Sequence, residues 1–188
     1  MKSQLKLFMV MLGCRPKGRF TEQHDIFFGI AKSLKELIPQ INKFWPEAQG
    51  KLHIDVWREV TNVANHQIEI VPKASIKEKN KSLYFINLGG YKQNEFDEFH
   101  YKMLVVTDDL AEAVKKAKQT SFYKHYGFKG AVSHIDDKFG IDVDDIFNVE
   151  EILNPIFTSD FDIQVTASDT ELQPDELHIG FLKLDKIF

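Results

Sequence analysis

Leu7-Phe-Met-Val-Met-Leu12 is an apolar run without a polar break, closed by Gly13; Leu83-Tyr-Phe-Ile-Asn-Leu88 is a second such run, closed by Gly89-Gly90. Short apolar runs ended by glycine predict buried strands that stop where glycine frees the backbone. A loop of about eight residues follows each. Residues 22–31 are then ambiguous, because Ile26, Phe27, Ile30, Leu34, Leu37 and Ile41 keep helical spacing and would allow a continuous helix from Thr21. The matching stretch 98–107 ends in Val105-Val106-Thr107, and its β-branched residues favour a strand in both places. Asp108-Asp109 open a helix over 110–120 with apolar residues at 110, 113, 114 and 117, and by analogy Ser33 caps a shorter helix. Residues 51–60 and 67–71 read as strands, the latter ended by Pro72, with counterparts at 131–135 and 146–153, the latter ended by Pro155. Residues 162–167 and 177–184 alternate around a turn containing Pro174 and predict an added hairpin covering a sheet edge.

The two halves of this pattern carry the same residues. Sliding residues 7–42 onto 83–118 without a gap matches 8 of 36 positions, against roughly two by chance. The identities are Leu7/Leu83, Leu12/Leu88, Gly13/Gly89, Phe20/Phe96, Glu22/Glu98, His24/His100, Leu34/Leu110 and Glu36/Glu112. His53-Ile-Asp55 also falls on His134-Ile-Asp136. The expected fold is therefore α+β: two tandem ββαββ-like repeats packed as one pseudo-symmetric body, plus a C-terminal β-hairpin. The units are residues 1–74 and 82–155, joined by a Lys-rich linker at 75–81 and followed by the hairpin extension 156–188. A unit of about 75 residues has a marginal core alone, which is why the halves are expected to pack together.

Composition narrows the function classes. The 188 residues are 43% hydrophobic and 28% charged, ordinary for a globular chain, and the net charge of −4 excludes a broad nucleic-acid surface. The single cysteine, Cys14, forms no intramolecular disulfide and fits a cytoplasmic location. Lys2, Lys6 and the run ending at Gly13-Cys14 imitate a lipoprotein signal. The equivalent run at 83–90 lies deep in the chain, however, so a buried strand is the expected reading, with no membrane segment.

Glu22-x-His24 and His53-x-Asp55 each place an imidazole and a carboxylate on one face of a strand, as do Glu98-x-His100 and His134-x-Asp136. If the strands are neighbours, each half gathers two His and two acids, a set able to bind a divalent metal or to form a proton-transfer pair, with Arg58 available to an anionic substrate. The same residues could instead hydrogen-bond one another or the backbone across the repeat interface. Arg15, Lys17 and Arg19 lie in a loop with the glycine spacing of a phosphate-binding loop. It lacks that motif's Lys-Ser/Thr, so a solvated basic loop stands beside an anion-binding one. Cys14 as a nucleophile, the aromatic and basic stretch 123–129 as a single-strand binder, and the acidic run 136–145 as a calcium loop are weaker candidates.

The strings Gly18-Arg-Phe-Thr-Glu-Gln-His-Asp-Ile-Phe-Phe-Gly29, His53-Ile-Asp-Val-Trp-Arg-Glu-Val60 and Ser133-His-Ile-Asp-Asp-Lys-Phe-Gly140 together resemble a small bacterial family catalogued as a domain of unknown function. The resemblance covers residues 7–153, implies a two-copy bacterial protein and transfers no reaction, substrate or catalytic residue. The functional expectation is a binding or interaction module with an unidentified ligand or protein partner, in a homo-oligomer such as a homodimer. The alternative is a metal-dependent or acid-base, hydrolase-like enzyme.

Overall fold

The computed structural model describes residues 4–76, 81–125, 134–135 and 146–187. The chain has an α+β fold and divides into two compact units, Met1–Ile76 with Leu153–Phe188, and Lys77–Ile152.

In the first unit, β1 (Lys6–Cys14) and β2 (Gln23–Ala31) form an antiparallel pair. A 3-10 turn (Leu34–Leu37) and helix α1 (Ile38–Phe44) lead to β3 (His53–Glu59), which lies on the other side of β1. The ambiguous stretch after the first loop is thus strand rather than helix. Phe8, Val10, Leu12 and Cys14, alternate residues of β1, point into one core with Phe27, Leu37, Ile41 and Ile54. Each large apolar side chain buried there contributes about 1.5–3 kcal/mol. Trp45 and Trp57 pack on its edge. Ser33 sits at the N-cap position, but its side chain makes no capping hydrogen bond; Glu36 Oε2 instead accepts from the Lys32 N–H at 3.0 Å.

Several expectations need correction here. Gly13 does not end its strand: it lies inside β1, paired with His24 on one side and His53 on the other. The C-terminal segment is not a hairpin either. β10 (Phe161–Ala167) pairs with β5 (His66–Pro72), while β11 (His178–Lys183) pairs with β3, giving sheets ordered β11-β3-β1-β2 and β10-β5-β4, where β4 is Asn62–Val63. The polar stretch between β10 and β11 is too strongly tied to the first unit to act as a tight turn. Asp175 accepts from Thr61 N, Thr61 Oγ1 and Asn62 N at 3.1, 2.6 and 3.1 Å, and Asn62 Nδ2 donates to the Gln173 carbonyl at 3.0 Å. Leu184 and Ile187 then complete the core.

In the second unit, β6 (Ser82–Gly90) pairs antiparallel with β7 (Phe99–Thr107). Helix α2 (Leu110–Lys118) begins where Asp109 accepts from the Glu112 N–H at 2.8 Å, and it buries Ala113 and Ala117 against Ile86 and Leu88. After α3 (Ser121–His125), β8 (His134–Ile135) and β9 (Ile146–Asn148) both pair with β6. A further correction concerns β9. It was expected to match β5, but its residues oppose Tyr84 to Ile86 of β6, whereas β5 pairs away from the β1 sheet. The strand lasts three residues because Asn148 Oδ1 accepts from Glu150 N at 3.1 Å and opens helix α4 (Val149–Ile152). Pro155, expected to end a strand, instead starts helix α5 (Pro155–Thr158), capped by Asn154.

Candidate functional site

β1 brings the scattered His and acid pairs of the first unit together. The register places His24 and His53 opposite Gly13 on its two flanking strands, so both imidazoles stand over the one residue without a side chain. A bulge in β3 between the partners of Met11 and Leu12 leaves Asp55 unpaired and turns it toward the same place. Glu22 reaches in from just before β2. His53 Nε2 lies 3.1 Å from Glu22 Oε1 and 3.4 Å from Asp55 Oδ1; His24 Nε2 lies 3.4 Å from Asp55 Oδ2 and 3.8 Å from Glu22 Oε2. Two imidazoles and two carboxylates thus alternate around a ring.

The ring is half sunk. The His53 side chain is 9% exposed and packs at a tilt against Phe181, with ring centroids 4.3 Å apart, whereas His24 and Glu22 are 42% and 46% exposed. His53 Nε2 and Asp55 Oδ2 are buried without a hydrogen-bond partner, since the neighbouring charged atoms lie off the bonding directions. A buried polar atom left in this way costs about 1–3 kcal/mol, which a ligand atom would recover. Gly13 makes the arrangement possible: a Cβ there would come 2.3 Å from His53 Nε2 and 2.5 Å from Asp55 Oδ2. The pattern of the sequence exposed the four polar residues but not this role of Gly13, which only the pairing register reveals. Among the described residues, no group of three or more His, Cys, Asp and Glu is placed to hold a metal ion as it stands.

Arg58 does not join the ring. It shares a face of the sheet with His53, but it pairs with Met9 while His53 pairs with Gly13, four strand positions and about 13 Å away. Its guanidinium lies 3.8 Å from the buried carboxylate of Asp175. Burial lowers the pKa of Arg58, and Asp175 opposes that shift. Cys14 is buried in the core, and burial, followed by the charge of Glu22, raises its thiol pKa against a smaller opposing effect of Lys51. A thiol held protonated is a poor nucleophile.

Arg15, Lys17 and Arg19 form a turn in which Arg19 N donates to the Pro16 carbonyl at 3.2 Å and Gly18 has φ +83°. They line a cleft of about 440 Å³ together with Lys51, which sequence spacing alone did not link to them.

In the second unit, the backbone pairing around Gly89 matches that around Gly13: Gly89 faces His100 on β7 and His134 on β8. Glu98 Oε1 accepts from Tyr91 Oη at 2.5 Å. Asp136, the acidic run 136–145 and residues 126–129 of the aromatic and basic stretch lie outside the described residues. Tyr123, from the start of that stretch, packs on the core of its unit.

Residues 19–70, the span holding Glu22, His24, His53 and Asp55, match the family model described as Domain of Unknown Function (DUF1543). Over 96% of this chain and 98% of the other, the fold is similar to the crystal structure of a protein Il1583 from Idiomarina loihiensis, with a TM-score of 0.53 and 23% sequence identity. No curated protein matches the chain at a significant level. Among the described residues, no helix is long and apolar enough to cross a membrane.

Proposed function

We propose that the chain is a binding module whose ligand site is the ring of Glu22, His24, His53 and Asp55 over Gly13. The carrying observation is that His53 Nε2 and Asp55 Oδ2 are buried, lack hydrogen-bond partners and lie against the bare backbone of Gly13, where only a glycine leaves them room. Two imidazole nitrogens and two carboxylates suit a divalent cation. The half-exposed Glu22 and His24 are free to swing onto an ion, while His53 and Asp55 supply the fixed side of the site. A second reading, favoured by each imidazole facing both carboxylates, is an acid-base or metal-dependent enzyme of hydrolase type. The finer organisation we read as two tandem copies of one bacterial unit, working in the cytoplasm as a homodimer. The equal pairing of Gly13 and Gly89 with His on both sides supports the duplication.

Titration calorimetry with zinc, on the wild type and on His24→Ala and His53→Ala, tests the site. The expected result is stoichiometric binding that both variants lose, with the melting temperature kept in His24→Ala, whose side chain is half exposed. No binding by the wild type, together with a lower melting temperature for the variants, would make the ring a structural device.

A further inference from the structure

The ring is not the only unusual feature at this end of the first sheet. Arg15, Lys17, Arg19 and Lys51 converge on the same cleft, with Glu47 as the acid on its rim. The ion pairs of this unit that join described residues involve Lys6, Arg58 and histidines, and none of these four cations. These four exposed cations line one cleft on a chain whose net charge is −4. An anion in the cleft would meet all four positive charges. The cleft volume of about 440 Å³ falls within the range of small-molecule sites, roughly 300–1,000 Å³.

The cleft adjoins the ring along the chain, although Glu22, His24, His53 and Asp55 do not line it. Phe20, on its rim, precedes Glu22 by two residues, and Lys51 precedes His53 by two. Two residues of chain span at most about 7 Å, so cleft and ring lie within the reach of one small molecule. The Phe20 side chain is 99% exposed, a position that a core does not explain and that offers a flat apolar face beside the cations.

We propose that the ligand is a small organic molecule carrying a phosphate-class oxyanion, which sits among Arg15, Lys17, Arg19 and Lys51 while an adjoining polar group meets the His53 and Asp55 atoms over Gly13. Guanidinium groups suit this role because their planar donor forks match phosphate oxygens. This proposal rests on the ring being a ligand site, and it adds the chemical class of the ligand.

The test is titration of the full chain with inorganic pyrophosphate in low salt and EDTA, for the wild type, the double variant Lys17→Gln/Arg19→Glu, and Lys51→Gln. Wild-type binding is expected to weaken at least about tenfold in the double variant and several-fold in Lys51→Gln, with melting temperatures unchanged because these side chains are exposed. No wild-type binding, or equal binding by all three proteins, overturns the proposal. If pyrophosphate fails while zinc still binds in the calorimetry described above, the ring stands without its anion partner. If both fail, the ligand-site reading falls with it.

Discussion

The loop after β1 and the loop after β6 leave the same kind of strand and lead to the same Glu-x-His, yet one carries Arg15, Lys17 and Arg19 where the other has Tyr91, Gln93 and Glu95. Glu22 faces the two imidazoles of its unit, and Glu98 takes a hydrogen bond from Tyr91. What the units share is framework, a glycine within a strand and histidines paired with it on both sides. What they do not share is charge around that framework. The cations of the first loop are what the proposed anion site draws on.

That comparison can be broken most directly in its cores. Leu12 and Leu88 are both fully buried one residue before the paired glycine, so Leu12→Ala and Leu88→Ala should each cost about 2–5 kcal/mol in denaturant unfolding. Equal costs would mean equal frameworks, and a large difference would make one unit the dependent partner. Gly13→Ala comes next. Its Cβ displaces the His53 ring, at a cost of about 1–3 kcal/mol, and zinc binding should be lost with it. Asp175→Ala leaves the Thr61 and Asn62 amides and Arg58 without their acceptor. It should cost about 1–3 kcal/mol, visible as faster hydrogen exchange in β3 and β4 with no change in the second unit. The smallest expected effect is on Cys14. Its raised pKa in the folded state means that any stability it contributes is present below the unfolded-state thiol pKa and is lost as pH rises through the folded one. The native thiol should therefore resist iodoacetamide at pH 8 and react promptly in urea; fast native labelling would show an accessible thiolate instead.

Much of this was legible in the sequence, and the reasons are local. The apolar runs of β1 and β6 and the Asp-capped helix α2 announce themselves by period and composition. Glu22, His24, His53 and Asp55 stand out because polar identities recurring between two halves need a cause. What was hidden depends on pairing over long distances. That Gly13 lies between His24 and His53, 29 residues apart in sequence, follows from strand register, which no local pattern carries. The distance of Arg58 from the ring is hidden for the same reason: it shares the face of the ring, but its position along β3 is set by the register with β1. The C-terminal strands have the sequence pattern of a hairpin because the segment between them resembles a turn. In the fold, Asp175 and its neighbours are instead clamped to residues 61–65, and each strand joins a different sheet.

The ring over Gly13 is the central claim, and imidazole nitrogen NMR tests it most directly by following the seven histidines of the chain while zinc is added. The account predicts that the Nε2 resonances of His24 and His53 move together at one equivalent, with His66 and His178 unaffected. A folded protein in which neither ring nitrogen responds would contradict it.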